Sequence, residues 1–425
     1  MAFFRCMPPA SSGGGGGDSS YGVQIDYGNG EYLNFQYLYF ARLPIYGSTF
    51  NSPVKIAKDV ISLNGIVMGC AGLNSPVTFD TPEDDYNYYQ NMYNDIATKT
   101  GVALTAGGMA VIGDGSGMFT GCSVFNQPIS LDNRFRNMAY MFNNCQAFNQ
   151  PVKIPKSAIT VSAMFYNCIV FNSIVDFSEC DSRNGGQLNY MSAMFSNCQN
   201  FNQPVNLPLI PSYDYAPSPG GSGNVAAYQS IFYNCTNFNS KFSLKVKNMF
   251  TGNFSGFMKN CTNYNIPLYI DGSESDRLFL DDAFTYMCNF RQPMLIEFNP
   301  GGPTFTARNM FNRLTTSTPM NHNRPTDLIF HNLNSNLTVS SAGSWTRNML
   351  IGCSERTNQR INIYIPVLEY LTYMNNALGI IGKAVTWTSM TNGLYNATYN
   401  VYLYNNVQDG VNQFWDYYNN FYNIS

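Results

Sequence analysis

The side chains best suited to chemistry in this chain are its cysteines, most of which recur in one short motif. Each copy reads Met-Phe, two further residues and Cys, and the four clearest copies span residues 118–122, 141–145, 164–168 and 194–198. A nucleophilic thiol needs a base beside it, usually histidine. The chain has eleven cysteines but two histidines, His322 and His331, and both lie outside these copies. We therefore expect neither a catalytic thiol nor a zinc site.

The remaining candidates for chemistry are two carboxylate clusters and a glycine-rich segment. Residues 83–85 and 281–282 carry neighbouring carboxylates, but neither cluster has the spacing of an EF-hand or a second supporting carboxylate. Both are expected on solvated turns. Residues 113–117 are glycine-rich but lack the lysine and the strand–helix setting of a phosphate-binding loop. The sequence predicts a protein that is not an enzyme and has no cofactor and no metal ion.

The cysteine position sets the period of an internal repeat. Cys122, Cys145 and Cys168 are 23 residues apart, and the next intervals, ending at Cys198, Cys235, Cys261 and Cys288, are 30, 37, 26 and 27 residues. Segments of turn-forming composition at 181–186 and 217–223 account for the two longest intervals. Weaker copies extend the pattern to about a dozen units over residues 40–395. Self-similarity at such a period indicates units that bury apolar surface against their neighbours.

The residues of one unit predict its local structure. Apolar residues at i, i+1 and i+4 of Met-Phe-x-x-Cys suit about one helical turn. The following Phe-Asn-Gln-Pro is typical of a turn, and residues 152–154 and 205–207 alternate as in a strand. The predicted fold class is an α/β repeat solenoid, with leucine-rich-repeat-like coils of short helix, turn and short parallel strand.

Two sets of side chains are predicted to recur inside or between the units. The cysteines are expected to stack in the interior, because Cys is small and often fully buried: Cys122, Cys145, Cys168, Cys198, Cys235 and Cys261. The turn asparagines are expected to bond peptide groups of the neighbouring unit: Asn126, Asn149, Asn172 and Asn202. A shared register favours free thiols, and disulfides between neighbouring units are the alternative.

The motif M-F-x-x-C-x-x-F-N-Q-P-[VI] resembles the BspA-type leucine-rich repeat and, more closely, the repeats of domain of unknown function 285. The resemblance covers most of residues 45–355. It implies a surface or secreted recognition protein with a curved solenoid and no catalytic residues. This chain lacks two features of the family, the tryptophan–aspartate segment after the proline and the usual export signal.

Composition and the termini complete the domain prediction. With 425 residues, 12% charged residues and a net charge of −3, the chain gives no electrostatic reason to expect nucleic acid. It has no apolar stretch of membrane-spanning length. We divide it into a flexible segment at 1–20, an N-terminal cap at 21–44, the repeats at 45–395 and a C-terminal cap at 396–425. Phe3, Phe4 and Cys6, followed by five glycines, suggest a docking peptide on a tether, and a disordered end is the alternative.

Tyrosines outside the repeat positions carry the remaining functional signal, because Tyr among Asn, Ser and Gly is typical of contact surfaces. Tyr213 and Tyr215 lie beside the longest insertion and are the candidate contacts; covering unit edges is the alternative role. We expect a fibre, adhesin or decoration protein of a bacteriophage virion, assembled in the host cytoplasm. Its partners would be other virion proteins or a host surface glycan or protein, bound multivalently. Alternatives are a bacterial cell-surface adhesin and an intracellular scaffold.

Overall fold

The structure of the protein is a computed structural model that describes most of the repeat region and parts of both ends. The described residues are 23–26, 32–35, 48–58, 60, 62–100, 113–210, 228–246, 254–275, 277–301, 304–311, 325–333, 360–365, 388–390, 393–396 and 401–424.

The N-terminal part is a four-stranded sheet followed by a helix. The strands are β1 (Val23–Asp26), β2 (Tyr32–Phe35), β3 (Val54–Ile56) and β4 (Val77–Phe79), in the order β2-β1-β3-β4. β1 is antiparallel to β2 and β3, whereas β3 and β4 are parallel. Helix α1 (Asp85–Thr100) follows.

The central part contains only very short strands. Two parallel pairs are formed by β5 (Val152–Lys153) with β6 (Val175–Asp176), and by β7 (Val205–Asn206) with β8 (Phe242–Ser243). A 3-10 turn, Ser182–Asn184, lies between β6 and β7. In each strand the first residue is buried and the second faces outward.

The C-terminal part is built on a mixed seven-stranded sheet. Its strands are β9 (Leu268–Gly272), β11 (Met294–Phe298), β13 (Asp327–His331), β14 (Ile361–Tyr364), β15 (Thr388–Met390), β16 (Gly393–Asn396) and β17 (Val401–Tyr404). The order is β15-β16-β17-β14-β13-β11-β9, parallel from β9 to β17 and antiparallel in the last two pairs. β10 (Arg277–Phe279) and β12 (Thr304–Thr306) form a separate parallel pair. Helix α2 (Val407–Ile424) ends the described chain.

The Met-Phe-x-x-Cys segments are turns and not helical turns. One residue in the left-handed region stands directly before each segment and a second stands directly before its Cys, four positions later, with φ between 53° and 76°. These pairs are Gly117/Gly121, Tyr140/Asn144, Ala163/Asn167, Ala193/Asn197, Ser230/Asn234 and Gly256/Asn260. Right-handed helix cannot pass through left-handed residues. This conformation explains why Asn or Gly precedes nearly every repeat cysteine, because those residues adopt it at least cost.

Backbone hydrogen bonds between units replace the bonds that a helix would make within itself. Phe142 N–H donates to Met164 C=O (2.8 Å) and Asn144 N–H donates to Tyr166 C=O (2.9 Å) in the next unit. The amides that alternate with these close local turns, as in Asn143 N–H to Tyr140 C=O (3.0 Å) and Cys145 N–H to Phe142 C=O (3.0 Å). Alternate amides therefore point along the stack of units, and the others hold each unit's own shape.

Two rows of phenylalanine rings fill the interior of the central units. Phe142 and Phe165 have centroids 5.6 Å apart with planes 3° apart, and Phe148 and Phe171 stack at 6.0 Å. Both rows continue in the neighbouring units at similar distances. The rings and the cysteines belong to one buried cluster that reaches into the C-terminal sheet.

The predicted fold class is wrong. In the residues that the structure describes there are two α-helices, neither in a Met-Phe-x-x-Cys segment, and every strand has two to five residues. Helix α1 includes residues 92–96, which the sequence predicted as a weaker copy of the repeat. The C-terminal part is a mixed sheet and not a series of equivalent strands. Within the described ranges the repeat units are therefore not coils of helix, turn and strand, and a leucine-rich-repeat-like solenoid does not describe this part of the chain. The apolar spacing failed as a helix signal because i, i+1 and i+4 also face inward in a pair of successive turns.

Candidate recognition site

The predicted cysteines form a hydrogen-bonded row inside the central units. Cys168 Sγ donates to Phe142 C=O of the preceding unit at 2.9 Å, and Cys198 Sγ donates to Phe165 C=O at 3.0 Å. The same contact recurs for the remaining members of the row, at 2.9 to 3.1 Å: Cys122, Cys145, Cys235 and Cys261. The thiol therefore supplies a donor to the adjacent unit, a role that alanine or valine could not fill.

These thiols are free, fully buried and unsuited to nucleophilic chemistry. Each has no exposed surface, and none of the described cysteines forms a disulfide. Burial raises the pKa of Cys122 and of Cys168 to about 12. It also raises the pKa of Cys145, Cys198 and Cys235 well above the ordinary thiol value. A thiol that stays protonated is a poor nucleophile and a poor metal ligand.

The last predicted member of the cysteine series does not occupy the repeat position. Phe290 N–H donates to Met287 C=O, as Tyr264 N–H donates to Cys261 C=O one unit earlier. Met287 is buried in the slot, while Cys288 is half-buried and contacts Tyr286 C=O. The assignment of Cys288 from its 27-residue spacing was therefore wrong by one residue.

The turn asparagines make a second row along an exposed edge. Asn149 N–H donates to Asn126 Oδ1 (2.9 Å), and Asn172 N–H donates to Asn149 Oδ1 (2.7 Å). Asn202 N–H continues the row to Asn172 at 2.8 Å. Each side chain thus satisfies one backbone donor of the following unit. Like the cysteines, these asparagines hold the units together.

The histidine and carboxylate candidates lie apart and form local contacts. His331 Nδ1 is 2.7 Å from Glu297 Oε2, at adjacent positions on β13 and β11. Asp281 pairs with Arg308 at 2.7 Å. Asp85 was expected on a solvated turn, but its carboxylate accepts from Asn133 N–H at 2.8 Å and so ties α1 to the first strong repeat. Among the described residues, no three His, Cys, Asp or Glu side chains are grouped to hold a metal ion.

Exposed apolar and aromatic side chains concentrate in the first strong repeats. Tyr140 is 53% exposed and Ile174, at the position that proline holds in most units, is 58% exposed. Three more lie on the same units: Val124, Tyr166 and Val170. Soluble surfaces carry single apolar residues routinely, but a group on neighbouring units is typical of an interaction site. Sequence reasoning missed these residues because they lie at variable positions of an otherwise regular motif.

In the C-terminal part, helix α2 covers the outward face of the sheet. Its outward-facing row is apolar or aromatic and consists of Tyr269, Leu295, Ile329, Tyr364 and Tyr404. Val411 and Phe414 of α2 are buried against this row, and Trp415 packs edge-on to Tyr269 at 5.0 Å. Gly410 lies flat on Tyr364, since a Cβ added there would be 2.5 Å from the ring.

A small cavity of about 230 Å³ remains between α2 and the sheet. Its floor is apolar and includes Ile329 and Phe414, and Arg291 and Asp327 lie at its edge. Tyr364 on its wall donates to Gln413 Oε1 at 3.2 Å, and burial raises the pKa of Tyr364 to about 12.

In the part of the chain that the structure describes, no helix is long and apolar enough to span a membrane.

Several predicted residues lie outside the described ranges. These are the docking candidates Phe3, Phe4 and Cys6, the contact candidates Tyr213 and Tyr215, and His322. The domain boundaries and the roles of these residues stay predictions.

A family model described as "Mycoplasma protein of unknown function, DUF285" matches residues 88–207 and, overlapping them, 156–271. This match confirms the resemblance to domain of unknown function 285 over the central repeats. No curated protein and no solved structure matches the chain.

Proposed function

We propose that this protein is a non-enzymatic recognition protein that binds its partner through the outer face of the repeats. The observation that carries the proposal is the separation of roles within each unit. The recurring Phe, Cys and Asn side chains pack or bond between units, whereas Tyr140, Tyr166 and Ile174 project from neighbouring units. Rigid aromatic side chains give large contact area at low entropic cost.

We place this recognition protein in a bacteriophage virion, as a fibre, adhesin or decoration protein. The support comes from the sequence, in which a short apolar segment and a glycine run precede the repeats and suit attachment to a particle. Mass spectrometry of purified particles and of cell-envelope fractions from one culture tests the placement. Copies of the chain in stoichiometric amounts in particles support it, and their restriction to the envelope contradicts it.

The second candidate is a bacterial surface adhesin. One observation favours it, the match of the central repeats to a family described from Mycoplasma. The fractionation above separates the candidates, because an adhesin would be recovered with the envelope of uninfected cells.

The binding role itself is tested on the exposed tyrosines. Replacing Tyr140 and Tyr166 together by alanine should weaken attachment to whole particles or cells at least tenfold and leave the melting temperature nearly unchanged, since exposed aromatic contacts cost about 1–4 kcal/mol when truncated. Tyr233→Ala is the matched control: it lies at the Tyr166 position two units later but is half-buried beside Lys259. Equal attachment by the double variant and the control would contradict the role of these residues.

A further inference from the structure

The regular pairing of parallel strands is interrupted between β6 and β7. On one side, Val152 N–H donates to Ile174 C=O (3.1 Å) and Ile154 N–H donates to Asp176 C=O (2.9 Å). The same register between β6 and β7 would require bonds from Val175 N–H to Pro204 C=O and from Phe177 N–H to Asn206 C=O. Among the residues that the structure describes, no backbone hydrogen bond joins these two strands.

The backbone groups on the two sides of this break face each other. Backbone groups of successive residues in a strand point to opposite sides. Because the carbonyls of Ile174 and Asp176 point towards β5, the N–H and C=O of Val175 point towards β7. On β7, Val205 N–H donates to Lys241 C=O of the next unit at 3.1 Å. The N–H and C=O of Asn206 therefore point towards β6. Two strand edges with free donors and acceptors thus border one gap.

A cleft of about 400 Å³ lies at this break and is lined by both strands. The insertion that follows β6 forms its far wall through Asp181 and Arg183. A residue in a sheet occupies roughly 160 Å³, from a rise of about 3.3 Å, a strand separation of about 4.8 Å and a sheet thickness of about 10 Å. By volume, the cleft corresponds to about two to three residues of extended chain.

The side chains around the cleft define what such a chain would carry. The inward row on both sides is apolar, with Val175 and Val205 buried. The outward row presents Asp176 and Asn206. Arg183 is already paired with Asp181. Asp176 accepts from Ser178 N–H (2.8 Å), lies beside Lys153 of β5 and keeps a carboxylate charge at the cleft. The surroundings favour a β-branched residue inward and a basic residue outward.

We propose that the cleft between β6 and β7 binds an extended strand of a partner polypeptide, which pairs with both edges and places an apolar residue inward and a basic residue against Asp176. Strand addition of this kind takes its affinity from backbone bonds and its specificity from alternate side chains. The site rests on the recognition role proposed above, but it does not depend on whether the protein acts on a virion or on a cell.

The test uses a peptide with the sequence of residues 148–155, which supplies the required alternation through Val152 and Lys153. The full-length protein should bind it with a dissociation constant on the order of 100 µM. The same peptide with Lys153→Glu should bind at least tenfold more weakly. In the complex, hydrogen exchange at the amides of Val175 and Asn206 should slow.

Variants of Asn206 separate backbone pairing from side-chain contact. Asn206→Pro removes a donor that faces the cleft and should weaken peptide binding at least tenfold, whereas Asn206→Ala keeps that donor and should bind almost normally. Lys55→Gln on β3, an exposed position outside the cleft, is the surface control. No binding at millimolar peptide, or equal binding by Asn206→Pro and Asn206→Ala, would overturn the proposal. If Asn206→Pro does not fold, unchanged exchange at Val175 and Asn206 in the wild-type complex overturns it instead. Failure here would leave the Tyr140 and Tyr166 test unaffected.

Discussion

The central repeats and the C-terminal sheet have similar interiors and opposite outer faces. Both bury an apolar row on the inner side of their strands, from Val152 in β5 to Leu403 in β17. The outward row is polar in the central strands, where it consists of Lys153, Asp176, Asn206 and Ser243. It becomes aromatic and aliphatic from Tyr269 onwards, and there α2 covers it. The inward residues therefore pack the units together in both regions. The outward residues determine whether a helix covers the sheet or the face stays open to solvent.

The geometry of α2 fits this covering role. Gly410 contacts Tyr364 of β14, and Trp415 contacts Tyr269 of β9. Beyond the sheet, the centroid of the Tyr422 ring lies 4.2 Å from Lys241 Nζ, next to β8. The helix ends where the polar outward row begins.

The largest expected effect comes from a charge in the interior of the central region. Cys168→Asp would bury a carboxylate without a cation and should cost about 3–5 kcal/mol of unfolding free energy. Cys288→Asp, at a half-buried position outside the row, is the control and should cost much less. Denaturant titration of both variants measures the difference. Similar losses of unfolding free energy for the two variants would mean that the cysteine row is no more sensitive to a buried charge than Cys288.

Alkaline pH should weaken the central region before the C-terminal one. A raised folded-state pKa means that the unfolded chain loses its proton first, so stability is complete below about pH 9 and falls as pH rises towards 12. Raising the pKa of Cys168 from 9.0 to about 12 corresponds to about 4 kcal/mol of unfolding free energy. The C-terminal sheet holds buried tyrosines such as Tyr364, whose ordinary pKa is 10.0.

Hydrogen exchange between pH 8 and pH 10.5, corrected for the intrinsic rate, checks this order. Protection of the Cys145 and Cys168 amides should fall from about pH 9, and protection at Leu295 and Ile329 should fall only above about pH 10. Simultaneous loss in both regions would contradict the assignment of the thiols as the first titrating groups.

Removing the main anchor of α2 should convert the C-terminal outer face into an open one. Phe414→Ala deletes a fully buried ring and should cost about 3 kcal/mol, felt mostly as release of the helix. Tryptophan fluorescence of Trp415 against urea measures it, with the exposed Asn412→Ala as control. If hydrogen exchange in Phe414→Ala shows equal loss of protection at central and C-terminal amides, the helix does not unfold separately from the sheet.

The smallest expected effect tests how closely α2 approaches the sheet. Gly410→Ala improves helix propensity by up to about 1 kcal/mol, but its Cβ would lie 2.5 Å from the Tyr364 ring. Overpacking costs typically about 1–3 kcal/mol, so we expect a net loss of about 1 kcal/mol. Thermal unfolding of the variant decides the sign. A stabilised Gly410→Ala protein would show that the contact is looser than described.

The sequence predicted the repeat, its register and the residues that recur, but not the conformation of the motif. The signal for that conformation was present: Asn or Gly stands before each of the repeat cysteines Cys122, Cys145, Cys168, Cys198, Cys235 and Cys261, which is typical of left-handed backbone. The helix interpretation ignored it and relied on apolar spacing alone. Following cysteine alone also missed that the repeat position near residue 288 is held by Met287 and not by Cys288.

The candidate sites were less predictable. The change of outward residues from Lys153 and Asp176 to Leu295 and Ile329 could have indicated a covered face, because alternation gives way to continuous apolar runs. The break between β6 and β7 could not have been read from the sequence, because the insertion at 181–186 reveals extra length but not where strand pairing ends.

The central claim is that the recurring cysteines are sealed inside the molecule, so that any partner must use the outer face. Timed alkylation of the native protein with iodoacetamide, read by mass spectrometry of each cysteine peptide, tests it directly. We predict that Cys288 is modified at least a hundredfold faster than Cys145, Cys168 and Cys198, and that all four react alike in denaturant. Modification of those three at a rate near that of Cys288 in the native protein would contradict the account.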